Sequence, residues 1–342
     1  MTRSFIFQYP GTLLACLAVG VFLNLPSSAE STTSFKARLQ RVDFLGAGVL
    51  VLAVLSLLIG LDQASNVSLK SPVVIASLLI AIALFGAFAY IESFIASEPF
   101  APPQIVRERT IFASSLANFF AFGSHMTVLF YVPLYYQAVR SLSPGEAGIR
   151  LLPAIAGGVS GSLLGGLLMQ KTGKYYWLTV IAYFHSVVGA TLVLVSVLMA
   201  ESTTGISIGI IFSGFGNGIG VTSSLVAIIA AAGPKDQAVG TAVSYLFRAL
   251  GTVTGVSVGS MLVQNRLRAE LAARLKGDDI DEIVRKVRES MEFIGTLPEE
   301  TRVVVRACYK DALQMAFMFG VGLAVLAFVS STFIKEKRLG GR

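Results

Sequence analysis

Long stretches without a single charged residue run through this chain, and they restrict its fold more than any other feature. Leu50 to Leu61, Val73 to Tyr90 and Val187 to Met199 carry no charge on any face. A soluble helix keeps its apolar residues in one stripe and its polar residues opposite. These segments have no polar side to turn toward water. A helix needs about 20 apolar residues to cross the hydrocarbon core of a bilayer. Within lipid the backbone must satisfy its own hydrogen bonds, so uncharged runs of that length fold as helices. The expected fold class is an all-α polytopic membrane protein. Nine spans are expected, at roughly 5–25, 43–62, 72–94, 111–137, 147–170, 176–199, 205–232, 239–264 and 312–334. Breakers separate them: Pro26, Lys70-Ser71-Pro72, Pro99 with Pro102-Pro103, Ser143-Pro144-Gly145, and Gly233-Pro234.

Composition agrees. Apolar residues make up 54% of the 342 and charged residues 14%, against about 25% charged in ordinary soluble domains. The formal charge of +7 does not point to nucleic acid, because the basic residues gather at helix ends rather than along one stripe. Cys16 and Cys308 are too few for a disulfide framework, and neither has metal-ligand spacing. The expected metal and cofactor set is empty. The start does not read as a secretory signal, since its apolar run is long and Asn24-Leu25-Pro26 is not a small-residue cleavage site.

Short loops orient such a bundle through their Lys and Arg. One set of alternate loops, with the tail, carries Lys36, Arg38, Arg41, Arg107, Arg109, Lys171, Lys174, Lys235, Lys335, Lys337, Arg338 and Arg342; the other carries little more than Lys70 and Arg140. The first side is therefore expected to be cytoplasmic, with the C-terminus. Nine crossings then place the N-terminus outside, which suggests that earlier helices are missing. The segment at about 265–311 is expected to be a long extracytoplasmic loop, with ten basic and ten acidic residues. Within it Ile280, Ile283, Val284, Val287 and Met291 recur at helical spacing, and Pro298 restarts a helix. The sequon Asn66-Val67-Ser68 sits in a loop too short to hold it clear of the membrane, so it is expected to stay unglycosylated.

Two glycine ladders stand out: Gly157, Gly161 and Gly165, and Gly251, Gly255 and Gly259. Small residues four apart let membrane helices approach closely, which serves either plain packing or the sliding contacts of alternating access. The ionisable residues inside spans are Glu92, His125, Arg150, His185 and Arg248. Glu92 and Arg150 lie near helix ends, within reach of the interface. Asn118 and Tyr136 return to roughly the face of His125, with Ser114 one turn earlier. That polar stripe, with Arg248, is the candidate substrate and proton pathway. A histidine side chain ordinarily titrates near physiological pH, so one at this place could take a proton or orient a substrate; the alternative is a histidine hydrogen-bonded to a neighbouring helix. No enzyme is expected, since H-E-x-x-H, G-x-S-x-G and a phosphate-binding Gly-Lys-Ser/Thr loop are all absent.

At Gly166-Leu-Leu-Met-Gln170-Lys171-Thr-Gly173-Lys174 the chain resembles the cytoplasmic loop motif of the major facilitator superfamily, G-x-x-x-D-R-x-G-R-R, with Gln170 in place of the acid. Arg41-Val-Asp43-Phe-Leu-Gly46, the stretch Tyr131-Val-Pro133-Leu-Tyr135-Tyr136-Gln137 with Ser143-Pro-Gly-Glu-Ala147-Gly148 and Leu152-Pro153, and Phe247-Arg248-Ala-Leu-Gly251 resemble the fungal fourteen-span drug:proton antiporter branch. The wording is similar both to multidrug exporters and to vacuolar permeases for basic amino acids. The resemblance implies that the spans correspond to helices six to fourteen. Residues 1–25 would then be a remnant of the N-terminal half. Residues 26–110 would hold a cytoplasmic loop and two linker helices, and 111–342 the C-terminal six-helix half. It implies a multi-pass protein of the vacuolar or plasma membrane that moves a small-molecule substrate in exchange for protons. It also implies a gating role for Gly166, Gln170, Lys171, Gly173 and Lys174. The competing expectation is a non-transporting truncated product, or a half-transporter that needs a partner.

Overall fold

A computed structural model of the chain describes residues 2–22, 43–66, 71–96, 99–200, 202–275, 286–287 and 291–337. Lys36, Arg38, Arg41, Val67, Ser68, Lys70, Ile280, Ile283, Val284, Arg338 and Arg342 lie outside them, and with them the greater part of the sequon and of the expected loop helix.

Every described element is a helix, as the apolar runs require. The helix α1 (Thr2–Phe22), with Pro10 inside it, belongs to a separate unit, residues 1–43. The second unit holds α2 (Phe44–Asn66), α3 (Pro72–Phe94), the short α4 (Pro103–Val106), α5 (Arg109–Ala138), the short α6 (Pro144–Ile149), α7 (Leu152–Thr172), α8 (Tyr176–Val195) with a π turn at Ser196–Ala200, α9 (Thr203–Arg274), the short α10 (Met291–Thr296) and α11 (Glu299–Ser331).

Among the described residues seven helices are long and apolar enough to cross a membrane, where the sequence predicts nine spans. Part of the difference lies in α9. At 1.5 Å per residue its 72 residues would reach over 100 Å, about three times a bilayer core. It is not straight. Gly233 has φ 72 and ψ 175, and Pro234 follows, so the chain folds back into two limbs, 203–232 and 234–274. A side chain is strained at that φ, and a proline beginning the next limb loses no needed donor. The sequence predicts a loop at 233–238; one residue suffices. The remainder lies at the start, in α1, which is 21 residues long and belongs to the separate unit.

Six rods make up the bundle: α5, α7, α8, the two limbs of α9, and α11. Glycines set the spacing. A Cβ on Gly157 would stand 2.6 Å from the Ile211 carbonyl oxygen, and one on Gly161 2.3 Å from that of Phe215, so α7 lies directly on the first limb. Ser162 Oγ and Thr222 Oγ1, 2.7 Å apart, hydrogen-bond across the same seam. Gly251 and Gly255 press the second limb onto the Phe119 and Gly123 carbonyls of α5 in the same way, and Gly259 rests on the Tyr131 ring. Gly189 joins α8 to Gly209 and Ser213. The Phe184 and Phe328 rings, 5.7 Å apart, join α8 to α11.

Apart from the bundle core, α2 and α3 form a hairpin whose contact is the Leu78 side chain over Gly60. Asn265 Nδ2 of the second limb donates to the Ala64 carbonyl of α2 at 3.3 Å.

The large side chains concentrate at the end of the bundle where α9 and α11 run past the expected membrane boundary. Tyr131, Tyr135, Leu267, Leu271, Cys308, Tyr309, Leu313 and Phe317 are buried there together. The segment predicted as a loop at 265–311 is helical through Arg274 and again from Glu299, directly after Pro298. Val287 is fully buried, and its carbonyl accepts from Tyr309 Oη at 2.7 Å. Arg274 bridges the two extensions, 2.5 Å from Asp311 and 2.7 Å from Glu270.

Candidate functional site

Three polar layers cross the bundle. Nearest the Lys/Arg-rich end, Asn118 of α5 is fully buried and engages three other rods. Its Nδ2 donates to Ser244 Oγ at 3.2 Å, and its Oδ1 accepts from Tyr183 Oη and from Ser224 Oγ, both at 3.1 Å. Arg248 lies one turn beyond Ser244. Its terminal nitrogen donates to the Val221 carbonyl at 3.3 Å, and its guanidinium sits 5.3 Å from the Phe122 ring and 5.2 Å from Tyr245. Among the described residues Arg248 has no acidic partner, and its Nε has no acceptor. It is only 7% exposed. Aromatic faces compensate a cation partly.

The second layer lies two helical turns along α5, about 10 Å. His125 and Ser124 of α5, Ser186 of α8, and Ser213 and Asn217 of the first limb close on a small cleft, with Ala324 and Ala327 of α11 behind. His125 Nδ1 and Asn217 Oδ1 are both buried without a hydrogen-bond partner. The cleft is narrow. Each orphaned polar atom costs about 1–3 kcal/mol, and an exception of that size in a native interior calls for a reason.

The third layer is at the far end. Tyr136 is fully buried, with the Arg150 guanidinium 5.2 Å over its ring. Eighteen residues separate it from Asn118, about 27 Å along one helix. The structure thus brings Asn118 and Arg248 into one layer, places His125 in the next, and sets Tyr136 apart. His185 stacks on Phe212 at 4.8 Å and 7°. Glu92 is 4% exposed and accepts from the Ala101 N–H at 2.9 Å.

The loop motif ends α7. Gly173 takes φ 65, the left-handed conformation that closes a helix, and its N–H reaches the Met169 carbonyl. Gln170, Lys171 and Lys174 are exposed, and nothing crowds Gly166. The chain tail clasps this loop. Glu336 accepts from the backbone N–H groups of Tyr175 and Tyr176, each at 3.0 Å, which caps the start of α8. Tyr175 Oη donates to the Lys335 carbonyl at 3.0 Å and accepts from the Lys337 N–H at 2.8 Å.

Sequence reasoning missed Asn217, Tyr183, Ser224, Ser244 and Glu336. Asn217 was legible as an amide inside the uncharged run Phe215 to Val221, since any polar group in a span has to find a partner or a cavity. The others carry no local signal.

The family model of the Major Facilitator Superfamily matches residues 3–256. The chain belongs to that superfamily. It is an integral, multi-pass membrane protein. Of its curated relatives, the vacuolar membrane amino acid uptake transporter fnx2 of Schizosaccharomyces pombe is 36% identical over 98% of this chain and 58% of its own length. The multidrug resistance protein fnx1 of the same organism is 31% identical over 97% and 63%. An efflux pump of Phaeosphaeria nodorum, elcC, is 28% identical over 93% and 57%. The chain therefore spans about three fifths of the relatives it matches. The fold is similar to a solved bacterial homologue of the human lysosomal transporter Spinster in an inward-facing, occupied conformation. That match has a TM-score of 0.53 and 15% identity, and covers 84% of this chain and 66% of the other.

Proposed function

We propose that residues 109–331 are the moving half of a proton-coupled transporter for small molecules, amino acids or drugs. The spans at 44–66 and 72–94 are the linker pair, and the full set is nine crossings, counting 203–274 as two. The observation that carries the reading is the unpaired His125–Asn217 layer. Two helices bring to one cleft polar atoms that have no hydrogen-bond partner in this conformation. In another state of the bundle, or with a proton added to His125, Nδ1 donates to Asn217 Oδ1, and the contact between α5 and the first limb tightens. Arg248, which has no acidic partner among the described residues, offers an anionic group such as a substrate carboxylate its partner. Asn118 positions the two. Tyr136 and Arg150 guard the far end. Support comes from the superfamily relationship and from relatives named for amino acid uptake and for drug efflux. Members of this superfamily move substrates between rocking halves around a midplane site; they are not enzymes.

A chimera tests this. Residues 109–337 replace the matching stretch of the Schizosaccharomyces pombe vacuolar relative, and amino acid uptake is followed in vacuolar vesicles. Uptake that a protonophore abolishes, and that falls at least tenfold in His125→Ala and in Arg248→Ala, is the expected result. Uptake indifferent to protonophore sinks the coupling. Full uptake in both variants sinks the site. A correctly localised chimera without uptake sinks the transport reading.

A further inference from the structure

The Lys/Arg-rich ends of α5 and α11 part to leave a groove of about 560 Å³. Its walls are apolar. Phe112, Leu116 and Phe120 recur every four residues on α5, and Leu326 and Val329 of α11, with Phe333 in the turn just after it, line the other side. Phe112 is 46% exposed and Phe333 53%. The α5 wall runs about 12 Å from Phe112 to Phe120, most of one leaflet of a ~30 Å core.

Two arginines stand at the mouth, Arg107 and Arg109. Arg109 Nε donates to the Phe333 carbonyl at 3.0 Å, which holds the guanidinium over the groove and leaves its terminal nitrogens for another acceptor. Arg107 is exposed and makes no side-chain hydrogen bond or ion pair among the described residues. The neighbouring acids are turned to other donors. Glu108 Oε2 accepts from the Ile111 N–H at 2.8 Å, Glu92 Oε2 from the Ala101 N–H, and both Glu336 oxygens cap α8. An apolar slot one leaflet deep, ending in two cations that form no ion pair among the described residues, is the complement of one molecule: a lipid with an anionic head.

We propose that this groove binds an anionic phospholipid of the cytoplasmic leaflet, its phosphate on Arg107 and Arg109 and one acyl chain along the Phe112–Phe120 wall. Arginine suits the role, because its planar fork pairs with two phosphate oxygens at once. The cytoplasmic leaflet supplies the anionic lipid, and the Lys/Arg bias of the loops assigns these helix ends to that side. A zwitterionic head brings its own cation to the same place, so the preference for the anionic head is roughly 30-fold, the effect of two basic groups at a membrane surface.

The chain has a single tryptophan, Trp177. Trp177→Phe combined with Phe112→Trp puts the reporter inside the groove of the full chain, reconstituted in phosphatidylcholine bilayers. Phosphatidylserine with brominated chains should quench it at roughly 30-fold lower mole fraction than brominated phosphatidylcholine. Arg107→Gln, which removes no hydrogen bond, should cut that preference several-fold, and the Arg107→Gln/Arg109→Gln pair should abolish it. Equal quenching by the two lipids in the parent overturns the proposal without recourse to any arginine variant. So does a preference unchanged in Arg107→Gln. Inorganic phosphate that removes the preference, where chloride at the same ionic strength does not, shows a free-anion site instead and also overturns it.

Discussion

Replacing Gly255 by alanine inserts one methyl group where the second limb lies directly on the backbone of α5. The new Cβ would stand 2.3 Å from the Gly123 carbonyl oxygen and 2.6 Å from its Cα. Both are backbone atoms, so no side chain can turn aside. Ordinary contact begins at 3.4 Å, so α5 and the second limb must part by 3.4 − 2.3 = 1.1 Å. Overpacking of this kind costs about 1–3 kcal/mol, and a gap near 1 Å forfeits up to about half of each neighbouring contact. The same movement breaks the Asn118–Ser244 bond, now 3.2 Å, and the Tyr131–Val256 bond, now 3.0 Å; each is worth about 0.6 kcal/mol in a membrane. Alanine returns about 1 kcal/mol in helix propensity. The balance is about 1–3 kcal/mol of destabilisation, from the overpacking figure plus the two hydrogen bonds less the propensity gain. Gly322→Ala is the control, because nothing lies within 4 Å of its Cβ, and there only the propensity gain remains. Thermal unfolding of the purified chain in detergent should rank Gly322→Ala at or above the parent and Gly255→Ala well below it. Equal melting temperatures for the two variants would refute the close-approach argument.

Two further outcomes follow from the loops. Glu336→Ala removes the carboxylate that caps α8; for an exposed cap the expected loss is about 1 kcal/mol, with protease cleavage near Lys174 accelerated, and a variant cut no faster than the parent would count against the clasp. In intact cells a cysteine placed at Lys174 should resist an impermeant thiol reagent and react after permeabilisation, as the Lys/Arg bias requires; labelling from outside inverts the topology.

The helices were legible because an uncharged run in lipid leaves its backbone no partner but itself. The glycine ladders were legible too, since spacing four is a face, and the structure places both ladders against neighbouring helices, on backbone everywhere but at Gly259, which meets the Tyr131 ring. Other features depend on quantities a sequence does not carry. Lys235 and Asp236 give 233–238 the composition of a loop, yet one positive φ at Gly233 turns the chain and both residues lie within a helix. Periodicity puts Asn118, His125 and Tyr136 on one face, and says nothing about depth: eleven residues return to the face of His125 but travel about 16 Å along the axis. The partners of Asn118 come from positions 65, 106 and 126 residues away, and no local pattern announces them.

That contrast separates two amides that look alike in sequence. Asn118 is paired on both sides of its amide, so its polarity is spent on holding four rods together. Asn118→Leu removes three hydrogen bonds at about 0.6 kcal/mol each: the hydroxyls of Tyr183 and Ser224 lose their acceptor, and Ser244 Oγ loses its donor. About 2 kcal/mol of stability should be lost on that per-bond figure. Asn217 Oδ1 is buried and unpaired. Asn217→Ala deletes a buried acceptor that nothing satisfies, so stability should stay level or rise by about 1 kcal/mol. In the chimera described above the order reverses: Asn217→Ala should lose proton-driven uptake, because the groove between α5 and the first limb no longer offers His125 an acceptor. Unfolding midpoints and initial uptake rates on the same two variants decide the matter. An Asn217→Ala protein that is less stable than the parent, yet transports as well, would mean the layer is packing, and the search for the coupling site would have to move to Arg248.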